Sequence, residues 1–516
     1  MTEPLAAAYL AISGFILVWN TFRAGRIASA RTAPPAFAAL SALGGLLLVP
    51  ALLVRLASAN ALYARSIEAI TWVWPLTLAL FAAQAIYAAV RRMSHPVVAV
   101  VIAVYDVMLL LAGLTEYALV VGVPPPDPAL AILAAHRNAL ALVATPAALA
   151  STAWVQLPLL APAFPARWTV SIASRGVVAA LAFAVVVVTG SELRAGYAAV
   201  RSYAPLADER LRERPAGDLA IGAELFPSLA SLPPPLAVRN DLAIADSLGA
   251  EVVSLVLEPA ATRPAVLDSL RRAFEGRRRG GMLLVVTLGW ARGPIDAFRK
   301  RRPLDVDARV ASVQRIAQRL EPDYLLPAHE PYGAAARAVG TLPPERWRTY
   351  LEAAAHAVDS VNRRVRVAYA VAAYDARDSV LYAWAAADGS PMDAVGFILR
   401  PTRHGGASLR EHMATAERWI AAAESGREHW VFGVAGLPMV HGERSQRLAI
   451  EGALAWATRQ EGMRGVIIAN ATDYTMATGL RSSLGRLRPA LAAAQRSAQL
   501  VRETALGDTL PAPVTR

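Results

Sequence analysis

Side chains that can exchange protons or bind polar ligands recur in the second part of this 516-residue sequence, each close behind a short β-rich run. Carboxyl and imidazole groups donate or accept protons, whereas guanidinium and aromatic groups hold a polar ligand in place. These candidates are Glu224, Glu258, Trp290, His329, Glu330, Tyr332, Tyr374, Asp375, Arg400 and Asp473.

Eight β-rich runs, alternating with helical stretches, must position these side chains. The runs cover residues 218–224, 252–257, 282–288, 323–328, 365–371, 393–399, 430–434 and 465–469. Val310, Val313 and Ile316 recur at helical spacing, and Ser408 with Glu411 forms a capping box. Eight such alternations over about 300 residues are typical of a (β/α)8 TIM barrel, in which the βα loops meet at the carboxyl ends of the strands. We therefore expect the candidates to gather at one barrel mouth.

Five short pieces carry a resemblance to a known family: "LAIGAELFP", "RNDLAIADSLGAEVVSLVLEP", "DYLLPAHEP", "DAVGFILRP" and "WVFGVAGLP". Together they resemble the clan of retaining glycoside hydrolases built on (β/α)8 barrels, over roughly residues 217–500. The resemblance implies that Glu330, after the fourth strand, is the general acid/base, with His329 where the family usually has asparagine. It also places Val434 where the family has its nucleophilic glutamate.

Valine at the nucleophile position leaves several alternatives open. A retaining mechanism needs two carboxyl groups about 5 to 5.5 Å apart, and an inverting one needs about 6.5 to 9.5 Å. Glu224, Glu258 or Asp473 could supply the second carboxyl group, or Glu443 could fold back from its loop. Otherwise the domain binds a glycan without cleaving it. Glu330 itself could instead be a structural carboxylate that bonds to an arginine or to backbone amides at the rim.

The remaining candidates are expected to bind substrate. His329 is expected to donate an orienting hydrogen bond, Trp290, Tyr332 and Tyr374 to stack on sugar rings, and Arg400 and Asp473 to contact the ligand. The basic stretch 289–304 would meet an anionic group or simply be solvated.

Several kinds of site are not expected. No second metal-ligand residue is spaced suitably from His329, so neither a metal nor another cofactor is predicted. The sequence has no cysteine, which excludes thiolate chemistry. The net charge of +12 suits anionic headgroups or acidic glycans, but no nucleic-acid motif accompanies it.

The first part of the sequence predicts a multi-pass helical membrane domain. Six windows are apolar enough to span a bilayer, at residues 4–22, 35–54, 68–90, 96–122, 139–162 and 169–191. The predicted domains are therefore a six-helix transmembrane domain at 1–191, a linker at 192–216, the barrel at 217–502 and a tail at 503–516. Asp106 and Glu116 in the fourth window either mark a polar pathway or a bound ion, or are paired inside the bundle or reach the interface.

Arginines in the short loops predict the orientation, because basic residues are retained on the cytoplasmic side. The first, third and fifth loops contain six arginines and the second and fourth contain three, which places the N-terminus and the barrel outside the cytoplasm. The sequence thus predicts a membrane-anchored, glycoside-hydrolase-like protein that acts on or binds cell-surface or lipid-linked glycan. The alternatives are an inactive glycan-binding or scaffold barrel, and a transporter or lipid-handling bundle with an accessory barrel.

Overall fold

The computed structural model describes most of the barrel and part of the N-terminal region. The described residues are 3–30, 32–58, 68–120, 157–162, 194, 197–205, 211–212, 214–215, 217–226, 229, 231–233, 235–290, 303–401, 408–423, 426–473, 478–482 and 485–503. The chain forms two compact units, one made chiefly of Met1–Tyr197 and the other chiefly of Ala198–Leu437, Glu443–Ser482 and Leu487–Arg516.

The N-terminal unit contains four long helices in its described part. They are α1 (Glu3–Ala28), α2 (Pro35–Ser58), α3 (Val73–Val90) and α4 (Pro96–Val120), with a 3-10 turn at Glu68–Ile70. They coincide with the first four apolar windows. Two stretches, Pro35–Arg55 and Val73–Val90, are long and apolar enough by themselves to cross a membrane. The sixth window lies outside the described residues, so the six-helix domain stays a prediction.

The prediction of a spanning helix over the fifth window was wrong for its last six residues. Residues 157–162 adopt no helix and carry prolines at both Pro158 and Pro162. Proline removes a backbone donor and clashes with the preceding helical turn, which explains why a helix does not continue here. The segment is nevertheless fully buried, so its backbone groups need partners other than water.

Two side-chain amides from different helices bond the backbone of this buried segment. Asn20 of α1 donates to the Pro158 carbonyl at 2.7 Å and accepts from the Leu160 amide at 3.0 Å. Gln84 of α3 bonds both main-chain groups of Ala161, at 3.1 and 2.9 Å. These four bonds replace the helical ladder that the prolines prevent.

Helix α4 supplies two further partners for the segment. The Tyr105 hydroxyl donates to the Leu157 carbonyl at 2.8 Å, and a carboxyl oxygen of Asp106 accepts from the Leu159 amide at 3.0 Å. Asp106 is therefore paired inside the bundle, as one of the two sequence readings anticipated. The Glu116 side chain lies outside the described residues.

The second unit is a closed barrel of eight parallel strands in chain order. The strands are β1 (Ala220–Glu224), β2 (Val252–Leu257), β3 (Leu283–Leu288), β4 (Tyr324–Leu326), β5 (Arg366–Val371), β6 (Ala394–Leu399), β7 (Glu428–Val434) and β8 (Met463–Ile468). All eight overlap the β-rich runs of the sequence, which confirms the predicted (β/α)8 barrel. Strand β4 is shorter than expected because the chain leaves the ladder at Pro327.

Helices follow the strands around the barrel. They are α5 (Pro235–Leu248), α6 (Pro264–Arg279), α7 (Val306–Arg319), α8 (Ala334–Val339), α9 (Pro344–Val361), α10 (Ala376–Ala386), α11 (Ser408–Ala423), α12 (Pro438–His441), α13 (Glu443–Arg459) and α14 (Pro489–Glu503), with a 3-10 turn at Pro259–Thr262. Residues 197–205, inside the predicted linker, are also helical.

Large aromatic side chains fill the barrel interior because glycines make room for them. Trp430 and Phe432 of β7 stack at 5.8 Å between ring centroids. A Cβ atom at Gly465 of neighbouring β8 would overlap the Trp430 indole, so only glycine fits there. This packed core leaves the carboxyl ends of the strands as the place for a ligand.

A buried histidine on the outer face of β7 should make stability depend on pH. His429 is 3% exposed and bonds the Tyr382 hydroxyl at 2.8 Å, and burial lowers its pKa to about 4. The unfolded chain, with an ordinary pKa of about 6.5, takes up the proton first, so stability is complete above that pH and falls toward pH 4 by about 3 kcal/mol. Urea unfolding at pH 7.5 and pH 5 should show about 2 kcal/mol of this loss.

Two histidine variants distinguish the effect of His429 from general acid denaturation. His429→Gln should flatten the pH dependence, whereas His356→Gln, at an exposed histidine of α9, should leave it unchanged. Equal slopes for wild type and His429→Gln would show that His429 is not the group responsible.

Candidate functional site at the barrel mouth

Glu330, just beyond β4, is held by the protein through both carboxyl oxygens. One oxygen accepts from the Arg400 guanidinium at 2.8 Å, and the other accepts from the Ala334 amide at 3.1 Å. Arg400 follows β6 directly, so this pair joins the ends of two strands. The residue has a left-handed backbone (φ 49°) and is 7% exposed.

These contacts decide what Glu330 can do chemically. A cation and an amide at a helix start both stabilise the ionised carboxylate. A general acid must instead carry a proton that it can give to a leaving group. The geometry of Glu330 therefore fits the structural alternative, a carboxylate bonded to an arginine and a backbone amide.

His329 and Trp290 lie beside Glu330, and both are mostly buried. The His329 Nε2 atom is 3.4 Å from a carboxyl oxygen of Glu330. The Trp290 indole donates to the His329 carbonyl at 2.7 Å, and the Arg309 guanidinium covers one face of its ring at 3.6 Å. Stacking on a sugar needs a free face of the Trp290 ring. The Arg309 guanidinium already covers one of its two faces, so only the other face could contact a sugar.

The ends of β1 and β8 form a second polar pair. Asn470 donates its amide to the Glu224 carboxylate, and the Thr478 hydroxyl donates to the Asn470 carbonyl oxygen at 2.7 Å. The threonine thereby fixes which end of the Asn470 amide faces Glu224. Glu224 shares the inward face of β1 with core residue Ala220, so the pair lies toward the mouth.

The other predicted carboxylates are Glu258, Asp473 and Glu443. Glu258 follows β2 directly and immediately precedes the 3-10 turn, four residues beyond Ser254, the register partner of Glu224. Asp473 forms an ion pair with Arg488 in which both side chains are nearly inaccessible. Glu443 also lies beside Arg488, at 3.6 Å.

Both predicted tyrosines have ring contacts of their own. Arg377 lies 4.8 Å above the Tyr332 ring, and Tyr374 stacks on His412 with 4.2 Å between ring centroids. Burial raises the pKa of each phenol, so neither ionises in the ordinary pH range. Asp375 caps α10 by accepting two backbone amides.

Val434, which the sequence resemblance assigned to the nucleophile position, ends β7 and is fully buried. Among the described residues, no group of three or more histidines and carboxylates could hold a metal ion. Asn470 and Arg309 were missed by the sequence reasoning. Arg309 had a signal, because it lies four residues before Val313 on the apolar stripe of α7.

No protein-family model matches the chain, and no curated protein sequence matches it. Several solved structures do match the barrel. The barrel is similar to those of glycoside hydrolases. A GH5_18 protein from Bifidobacterium longum has 15% identity over 56% of this chain and 80% of its own, with a TM-score of 0.43.

Two further structures belong to the same group. A GH5_18 variant from Streptomyces cattleya, in complex with Manβ1-4GlcNAc, has 18% identity over 57% of this chain and 83% of its own, with a TM-score of 0.42. An exo-β-1,4-mannosidase from an Opitutaceae bacterium has 14% identity over 57% and 62%, with a TM-score of 0.40. At these identities the similarity concerns the fold.

Proposed function

We propose that this chain is a membrane-anchored protein whose glycoside-hydrolase-like barrel binds a cell-surface or lipid-linked glycan without cleaving it. The proposal rests on the two residues that the sequence resemblance assigned to the acid/base and to the nucleophile. Glu330 is held as a carboxylate by Arg400 and an amide, and Val434 has no nucleophilic atom.

Two polar pairs support a sugar-binding role for the mouth. Glu224 with Asn470 and Glu330 with Arg400 present carboxylate, amide and guanidinium groups at the carboxyl ends of four strands. Sugar hydroxyls donate and accept at once, so such mixed sets of planar donors and acceptors match them.

Glycan binding by the full-length protein in detergent tests the proposal. A calorimetric screen would include Manβ1-4GlcNAc, mannan oligosaccharides and glucuronic acid, with chromatography of each mixture to detect products. Asn470→Ala and Arg400→Met are expected to weaken binding about 10- to 100-fold, because each removes a mouth donor and leaves its glutamate partner unpaired. No product is expected.

A matched control uses an arginine ion pair at the opposite end of the barrel. Arg366 bonds Glu428 at 2.8 Å at the start of β5, and Arg366→Met should leave glycan affinity unchanged. Released sugar that disappears in Glu330→Gln would contradict the proposal and make Glu330 an acid/base. Release that persists there but is lost in Glu224→Gln would assign the chemistry to Glu224.

Membrane anchoring is supported by the apolar side chains that the N-terminal helices expose around their core. Polar side chains of Asn20, Thr77 and Gln84 are fully buried, whereas Leu46 and Val90 are more than 70% exposed. A water-soluble bundle exposes mainly polar side chains, whereas exposed apolar side chains of this kind suit lipid. The arginine distribution supports placing the barrel outside, and maleimide labelling of a single cysteine at Ser390 in intact cells tests that side.

A further inference from the structure

Arg309 of α7 is a buried arginine whose partners are neutral carbonyl groups. It is 6% exposed, and among the described residues no carboxylate lies within salt-bridge distance of it. Its guanidinium donates to the Gly289 carbonyl at 3.0 Å, to Leu288 at 3.0 Å and to Pro327 at 2.9 Å. One side chain thus bonds the chain just beyond β3 and just beyond β4.

Aromatic residues hold the Arg309 guanidinium in this position. Its Nε atom donates to the Tyr350 hydroxyl at 3.2 Å, and that hydroxyl donates to the Pro327 carbonyl at 2.7 Å. The Trp290 ring lies against the guanidinium plane, and its indole bonds the His329 carbonyl. The carbonyls of Pro327 and His329, on either side of Ala328, are therefore both fixed from outside the sheet.

The cluster of Arg309, Trp290 and Tyr350 lies where the hydrogen bonding between β3 and β4 ends. The register of β3 with β4 stops at Thr287 and Leu326, and a single backbone bond, His329 to Leu288 at 3.2 Å, continues it. Guanidinium has a rigid fork of donors that can reach three carbonyls at once, which a lysine ammonium on a flexible stem does not reproduce.

We infer that Arg309 is a positioning residue of the mouth: it sets the place of His329 and Glu330, and through Glu330 the place of Arg400. The consequence for glycan affinity rests on the proposed function. The consequence for the geometry of the β3 and β4 ends does not.

Three variants test the inference in the full-length protein. Arg309→Met removes the guanidinium, Arg309→Lys keeps only the charge, and Arg315→Met is the control. Arg315 lies on the same helix but bonds Thr262 instead. Two quantities are measured: affinity for Manβ1-4GlcNAc, and the ¹⁹F resonance of 5-fluorotryptophan at residue 290, assigned by its loss in Trp290→Phe.

Arg309→Met is expected to shift or broaden the Trp290 resonance and to lower affinity at least tenfold, with part of both restored by millimolar guanidinium chloride. Arg309→Lys should show the same losses, smaller, and Arg315→Met neither. Wild-type protein that binds no glycan would defeat the proposed function while leaving the resonance test intact. A wild-type resonance in Arg309→Lys, or in a folded Arg309→Met, would overturn the inference.

Discussion

Replacing Arg488 by methionine is expected to destabilise the barrel by about 3 to 5 kcal/mol, because it leaves the Asp473 carboxylate buried without its counter-ion. The two side chains are 2% and 3% exposed and bond in a fork, with one of the contacts at 2.9 Å. Asp473 also accepts from the Gly479 amide at 2.7 Å, and Arg488 donates to the Gly479 carbonyl. The pair therefore organises the chain after β8.

Urea unfolding of the full-length protein measures this effect. The double variant Asp473→Leu/Arg488→Met should recover much of the loss, since it removes the lone charge. Arg502→Met is the control, because the exposed Arg502–Glu251 pair is worth at most about 1 kcal/mol. Equal stabilities of Arg488→Met and Arg502→Met would contradict the assignment.

Arg488→Met should also weaken glycan binding at the barrel mouth. Thr478, which orients Asn470 toward Glu224, directly precedes Gly479, the residue that Asp473 and Arg488 both bond. Glycan affinity of Arg488→Met is thus expected to fall even where the protein remains folded. Asp473 then influences binding through Gly479 and Thr478, although the sequence suggested direct contact with the ligand.

Replacing Gln84 by leucine is expected to destabilise the N-terminal helices by about 2 to 6 kcal/mol. The substitution leaves the amide and carbonyl of Ala161 buried without these partners, at about 1 to 3 kcal/mol for each group. Asn20→Leu should have a similar effect through Pro158 and Leu160. The buried segment 157–162 would lose four of the side-chain bonds that hold it among the helices if both amides were removed.

The absence of cysteine from the sequence makes this loss easy to measure. A single cysteine at the fully buried position Leu160 should react slowly with maleimide in detergent and much faster when Gln84→Leu is added. Thr21→Val is the control, because the exposed Thr21 hydroxyl donates to the Leu17 carbonyl of its own helix. Unchanged labelling in Gln84→Leu would mean that the amide does not hold the segment.

Local patterns in the sequence determined the elements of this protein. β-Rich runs such as 252–257 form strands, and Val313 and Ile316 of the apolar repeat lie on the buried face of α7, with Val310 half-buried beside them. Such patterns depend on neighbours a few residues apart, where backbone preference and side-chain period act directly. Counting eight alternations was then enough for the closed barrel.

Only the tertiary structure decided what the candidate side chains contact. Glu330 meets Arg400 seventy residues away, and Gln84 meets Ala161 across seventy-seven. Partners so far apart in the chain are brought together by barrel closure and helix packing, which no local period encodes. The chemistry of a motif glutamate depends on such distant partners as well. A neighbouring cation favours a fixed carboxylate over a proton donor, and for Glu330 that cation is Arg400, which follows another strand.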